Sequence, residues 1–486
     1  MHRVLLGLAL VIAATAAATA AGPAPEKRFE PAEVTADFRE LYDRLQASHF
    51  DLFARHPKAE YDAAFQSTSA TFDRPLTGTE IQIRFQRFMA FGRVAHARIE
   101  FPYEAYNAYR DAGGKTLPLA VRIVRGRVHI VENYSGVAGI SPGDKIFALN
   151  GEPITAWLTR LAANLSADND YMMETMLERR FASLLWLELG NVAEFKLAVQ
   201  TSAGMATITI PARTRVEIKA AAEKQSQSLA LDWDKREFKM LGAGVGYLRP
   251  GPFYNNDPNA TNIWDATHFR RFIDTSFEQL LNANAKALVI DLRDNPGGDN
   301  SFSDPMIAWF ATKPFRFASA FKIKVSEAAI ESNRKRLGVP PEQLDPISPK
   351  LAAAYANHRI GEVISFDIPT AEPRAGTRFT GKVYLLINRN SYSNTVQVAA
   401  LAQDYRFATI LGEETSDLAT TYGAMEQFAL SRTGTVVGFP KAMIIRANGD
   451  RAPRGVVPDI AIPTPIVETK DDPVLGRAVE IAASGR

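Results

Sequence analysis

Two serines, Ser391 and Ser393, stand in the stretch "NRNSYSNTVQVAALAQD" (388–404), between the apolar run "KVYLLI" and a segment of helical periodicity. A serine where a strand hands over to a helix faces unsatisfied backbone N–H groups and the positive end of the helix dipole. Those features stabilise negative charge during acyl transfer, but they equally describe an ordinary serine cap, so local pattern leaves both readings open. A second candidate is "KALVIDLRDNPGGDN" (286–300), where an apolar run ends at Asp291-Leu292-Arg293 and Asn295-Pro296-Gly297-Gly298 turns the chain. Glycines there permit positive φ and let a ligand approach backbone N–H groups. Such a turn can donate hydrogen bonds to a developing oxyanion, or it can be a plain strand-to-helix connection.

A serine nucleophile needs a neighbour that accepts its proton. No lysine lies between Ser393 and Lys441. Of the seven histidines, only His96, in "GRVAHARIEF", sits in a segment that bears on the argument below; His2 falls in the N-terminal leader and the other five at no motif. Metal catalysis finds no support, because there is no His-Glu-x-x-His, no cysteine and no paired-histidine spacing. Phosphate chemistry lacks a glycine-rich loop followed by Lys-Ser/Thr. No cofactor is implied.

The elements that must position these residues are spread over 486 residues, enough for several domains. Hydrophobic residues at 46% supply ample core, while a formal charge of +2 and the lack of a Lys/Arg run give no reason to expect a nucleic-acid partner. The N-terminus "MHRVLLGLALVIAATAAATAAGPAPEK" has a short basic start, an apolar stretch from Val4 to about Ala14, and Ala18-Thr19-Ala20 as a small-x-small cleavage site. This pattern predicts an export signal over 1–21, too short to span a bilayer, which needs roughly 20 apolar residues. No other stretch approaches membrane-spanning length. With no cysteine, disulfides are impossible, and an exported protein of this kind suits a bacterial periplasm or secretion.

Periodicity then divides the rest. Residues 27–112 read as helical, with "VTADFRELYDRLQASHFDLF" and "LTGTEIQIRFQRFMAFGRV" spacing apolar residues at three and four, and Thr77 or Thr79 as a cap. Residues 115–212 switch to short strands broken by one helical piece, "ITAWLTRLAANL", a β-rich module. Residues 235–486 alternate strands and helices, an α/β domain, with a largely helical insertion expected at about 322–373.

Taken together, the glycine turn and the later strand-Ser-helix resemble the signature of the C-terminal-processing (tail-specific) serine peptidase family. "GDKIFALNGEPI" (143–154) is similar to the core of a PDZ module, "AALAQDYRFATILGEETSD" to the segment after that family's nucleophile, and "RGVVPDIAIPTP…DDPVLGRAVEIA" to its Gly-Val-x-Pro-Asp close. The resemblance implies a multidomain α/β protein with a ClpP/crotonase-like catalytic core, an N-terminal helical region and a PDZ-like module. It implies Ser393 as nucleophile, with the backbone N–H groups of Asn394 and of Gly297 or Gly298 as oxyanion hole. One branch of the family uses a lysine six residues past a glycine matched by Gly412, but Leu418 stands there. The chain is therefore closer to the tricorn-core-like branch, in which His96 occupies the histidine slot. That branch's orienting glutamate maps onto Ala452, so Asp450 is the expected carboxylate, with Glu413 and Glu414 as alternatives, and Ala95 replaces a polar orienter. The implied activity is an exported serine endopeptidase cleaving unstructured polypeptides, with sites near their C-termini as one option. The competing reading is a weak or inactive peptide-binding protein on the same scaffold. The oligomeric state is open.

Overall fold

The computed structural model describes residues 26–225, 229–340, 344, 347–467 and 469–485; the expected export signal lies outside them. Among the described residues no helix is long and apolar enough to cross a membrane.

The α/β core is a six-stranded sheet in the order Glu237–Met240, Val245–Arg249, Ala287–Asp291, Lys382–Ile387, Thr409–Gly412, Ile460–Ala461. The first pair is antiparallel and the rest are parallel. Parallel strands need both faces covered, and the continuous apolar runs supply the material. Alternate residues take opposite sides. Leu288, Ile290 and Leu385 face the helices Thr267–Asn282, Asn300–Ala308 and Asn394–Asp404. Val289, Tyr384 and Leu386 face the terminal helix Pro473–Ser484. The motif strands Ala287–Asp291 and Lys382–Ile387 are direct neighbours, in register from Ala287 against Lys382 to Asp291 against Leu386. Their C-terminal ends therefore emerge side by side, which is where a parallel sheet presents its chemistry.

A second, antiparallel sheet runs Val363–Ser365, Ala318–Lys324, Val436–Arg446, Thr421–Ala429. The segment expected as a helical insertion does contain the helices Glu327–Leu337 and Ser348–Ala356. Strands flank them, however, and Ala318–Lys324 pairs along Val436–Arg446, so the segment is built into this sheet. The N-terminal helices Pro31–Ser48, Lys58–Ser69 and Gly78–Phe91 pack Phe38, Leu41 and Phe88 against Phe428, Val437 and Phe439 of the same sheet. Thr77 caps the third of them in a capping box with Glu80, whose side chain returns to the Thr77 N–H at 2.8 Å.

The β-rich module is an antiparallel sheet of Leu119–Val124, Arg127–Asn133, Lys145–Leu149, Glu194–Thr201 and Gly204–Pro211, with Glu152–Pro153 paired to Lys145–Leu149. Besides the expected helix Ile154–Ala162 it holds a 20-residue helix, Asp170–Leu189. The loop between these helices leaves the module. Its Asn164 carbonyl and Ser166 hydroxyl accept hydrogen bonds from Gln86 of the N-terminal region, and Asn169 donates to the Ser416 carbonyl of the α/β domain. All three parts of the chain meet there.

Candidate active site

The two motifs are tied to each other through Asn295. Its amide N–H donates to the Gly251 carbonyl at 2.7 Å, while its side-chain oxygen accepts from the Gly297 N–H at 3.0 Å and the Thr395 hydroxyl at 2.8 Å. Its carbonyl accepts the Tyr392 N–H at 3.0 Å. One buried asparagine thus fixes the glycine turn against the first turn of the helix Asn394–Asp404. Below it, Asp291 accepts from Arg293 at 2.8 and 3.0 Å and from Arg249 at 3.1 Å, and Arg293 reaches on to Asp472 at 2.7 and 2.9 Å. Burial alone would raise the Asp291 pKa, but the two guanidiniums outweigh it and hold it below the ordinary value.

Position separates the two serines. The Ser391 hydroxyl is fully buried, donates to the Leu292 carbonyl at 2.8 Å and accepts from the Asn388 N–H at 3.1 Å. It pins the strand ends together. Ser393 occupies the cap position of its helix with φ 55° and ψ −123°, and its side chain makes no cap hydrogen bond. A non-glycine residue held there is strained by about 1–3 kcal/mol. Its backbone N–H is anchored instead by Asp417, at 2.6 Å. The Ser393 hydroxyl is left to the cavity.

That cavity, about 700 Å³, is lined by Ser393 and Asn394, by Pro296 and Gly298 of the turn, and by His96 and Arg98 of the N-terminal region. Gly297 has φ 89° and Gly298 φ 141°. A Cβ on Gly297 would come within 2.8 Å of the Asn394 nitrogen and 2.9 Å of the Ser393 Cβ, so turn and serine are in close contact. Because the Gly297 N–H is taken by Asn295, Gly298 and Asn394 carry the N–H groups without an acceptor among the described residues.

His96 is 5% exposed, and its ring lies nearly parallel to that of Tyr392, centroids 5.5 Å apart. The Tyr392 hydroxyl accepts from Arg98 at 3.2 Å. Burial, and secondarily the Arg98 charge, push the His96 pKa down to about 3, with the Tyr422 carbonyl acting weakly the other way. Its Nδ1 is buried with no hydrogen-bond partner. The structure therefore brings His96, Ser393, Gly298 and Asn394 to one cavity.

The expected carboxylates lie elsewhere. Asp450 turns its oxygens to the Ala452 N–H, at 2.9 Å, and to Arg454, and it does not line the cavity. Glu413 is held by the Tyr171 hydroxyl at 2.9 Å, by Thr464 at 3.1 Å and by Arg122 and Arg389, a joint between the β-rich module and the α/β domain. The Glu414 carbonyl accepts from Tyr171. Two carboxylates that sequence reasoning did not single out are buried close by. Asp417 accepts the Ser393 and Leu418 N–H groups, and burial raises its pKa to about 6. Asp168, in the loop before Asp170–Leu189, is raised to about 7 by burial and by Asp417. Lys441, the first lysine after Ser393, is buried against Glu426 at 2.5 Å, and Arg336 and Ser332 also bond that carboxylate.

Residues 245–462 match the model for peptidase family S41. The chain carries an S41 peptidase domain. It is a serine peptidase, and the matched span takes in both the glycine turn and Ser393. In overall fold the protein is similar to mature CPAF complexed with lactacystin, at 15% identity over 93% of this chain and 98% of that one, with a TM-score of 0.63. It is likewise similar to uncomplexed mature CPAF, at 16% identity over 94% of this chain and 96% of that one, TM-score 0.61. No curated protein matches the sequence.

Proposed function

We propose that this S41 domain hydrolyses polypeptides through an acyl-enzyme on Ser393, with His96 as general base and the N–H groups of Gly298 and Asn394 receiving the oxyanion. The observation that carries this reading is the contrast between the serines: Ser391 spends its hydroxyl on structure, while Ser393 is strained, uncapped and opens on the cavity that His96 also lines. His96 takes the hydroxyl proton as Ser393 Oγ attacks the carbonyl carbon, and returns it to the leaving amine. Water then repeats the sequence on the ester. In this reading the chain sides with the Ser/His rather than the Ser/Lys branch, and the support is that Leu418 is apolar and buried and Lys441 is committed to Glu426.

The substrate in this reading is an unstructured polypeptide, since an extended strand can reach the recessed serine and a folded surface cannot. The β-rich module, read as PDZ-like, offers the edge strand Gly204–Pro211 for strand addition. The basic-apolar-small N-terminus and the absence of cysteine support export to the periplasm or beyond.

The test is kcat/KM on an unfolded polypeptide for wild type, Ser393→Ala, His96→Ala and Ser391→Ala. Loss in the first two variants with retention in the third is expected. Wild-type turnover in His96→Ala would overturn the base assignment.

A further inference from the structure

Serine–histidine catalysis works best when a carboxylate holds the imidazole in the right tautomer and stabilises the imidazolium. Asp450 has its oxygens committed within its own turn. Asp168 differs in every respect. It is 7% exposed, and neither of its oxygens has a hydrogen-bond partner. An unpaired buried polar group is costly and calls for an explanation.

Its surroundings supply one. The Ala95 N–H faces the Asp168 carboxylate but falls short of hydrogen-bond geometry. Ala95 is the residue before His96, and Ala95, Ala167 and Met172 form one small buried cluster against Tyr392, the ring on which His96 stacks. Thus Asp168 packs beside the backbone that carries His96, and the orphaned Nδ1 of the one and the orphaned oxygens of the other each lack what the other offers. The loop that delivers Asp168 is fixed on both sides, by Gln86 and by Ser416.

We propose that Asp168 is the positioning residue for His96, accepting the Nδ1–H hydrogen bond so that Nε2 presents its lone pair to Ser393; this rests on the assignment of His96 as base. The bond closes when substrate seals the cavity, as catalytic contacts commonly tighten only in the complex. The charged and titratable groups facing Asp168 are Asp417, Arg55, Arg93 and, across the cluster, Tyr392 and Tyr422. Asp417 keeps its own carboxylate on the Ser393 and Leu418 N–H groups, which fix the serine backbone. Asp168 and His96 then share one titration, and the proton lost near neutrality belongs to the pair.

The experiment compares full pH profiles of kcat and KM for wild type, Asp168→Asn, Asp450→Asn and His96→Ala. Asp168→Asn is expected to lose about 10²-fold or more in kcat with KM little changed. Its residual activity should keep an acid limb displaced to lower pH, because His96 without the carboxylate resists protonation. Asp450→Asn should stay within about threefold of wild type. Near-normal kcat in Asp168→Asn beside a dead His96→Ala would overturn the proposal while leaving the base assignment intact. A loss in Asp168→Asn with the acid limb unmoved would also overturn it, since that is the mark of a structural role. Activity in His96→Ala overturns the base and this inference together. Should Asp168→Asn not fold, the ¹⁵N spectrum of the wild-type histidines decides: an Nδ1–H tautomer for His96 with a strongly downfield proton supports the pairing, and an Nε2–H tautomer refutes it.

Discussion

Replacing Asp168 with asparagine should make the protein more stable at alkaline pH even as it removes activity. In the folded protein burial and the neighbouring Asp417 lift Asp168 from 3.8 to about 7. A carboxyl whose folded pKa is raised contributes its full stability only while protonated in both states. That contribution is lost as pH rises from the unfolded pKa through the folded one. The gap is roughly 3 pKa units at about 1.4 kcal/mol each, so ionisation of Asp168 costs the fold about 4 kcal/mol by pH 8. The cost is roughly halved at pH 5 and small at pH 4. An amide of the same shape carries no charge and avoids this cost. Urea unfolding of wild type and Asp168→Asn at a series of pH values should therefore show a midpoint difference in the variant's favour. The difference should grow with pH and level off above about pH 7, with the m-value unchanged. A variant equal to or less stable than wild type at pH 8, or a difference that does not depend on pH, would refute the claim that Asp168 is a buried, unpaired carboxyl.

Three other outcomes follow from the same structure. Gly298→Ala should lose both turnover and stability, because the added Cβ would fall on the Phe253 carbonyl at a φ of 141°; with one oxyanion donor displaced, kcat should drop about 10²–10³-fold, and wild-type kcat in a folded variant would remove Gly298 from the oxyanion hole. Ser391→Ala should lower stability by about 1–3 kcal/mol, since it strands the buried Asn388 N–H and leaves the Leu292 carbonyl only the longer bond from the Asn295 N–H, at 3.3 Å, while kcat stays near wild type in the assay that silences Ser393→Ala. Lys441→Met should cost about 1–3 kcal/mol in thermal or urea unfolding, because one charged hydrogen bond is lost while Arg336 and Ser332 still hold the Glu426 carboxylate, without the loss of the nucleophile's reactivity that a lysine base would entail.

Much of this was legible in the residues. The glycine turn, the strand-Ser-helix handover and the alternation of strands and helices all rest on local rules: positive φ at Gly297 and Gly298, the dipole at a helix start, and apolar runs long enough for a sheet covered on both faces. What local pattern could not do was choose between Ser391 and Ser393, because the choice depends on which hydroxyl the Leu292 carbonyl captures, a contact across 99 residues. Asp168 carried no signal at all. It sits in a loop, "LSADND", whose polar residues look like any connector, and its significance comes only from the burial imposed by two other parts of the chain. The helix Asp170–Leu189 gives no helical signal because its apolar residues are spread around the cylinder rather than gathered in a stripe. The segment 322–373 read as helical because Ala318–Lys324 alternates only weakly in burial, and its partner strand lies more than 100 residues further along.

The most direct test of the central claim is covalent labelling with a fluorophosphonate, followed by mass spectrometry of the proteolysed adduct. The hydroxyl that attacks a peptide carbonyl also attacks this phosphorus, losing its proton to the same base and expelling fluoride. A single modified peptide is expected, "NRNSYSN" in sequence, with the adduct on Ser393. Labelling should persist in Ser391→Ala, disappear in Ser393→Ala and slow severely in His96→Ala. An adduct on Ser391, or labelling of Ser393 at the wild-type rate in His96→Ala, would contradict the claim.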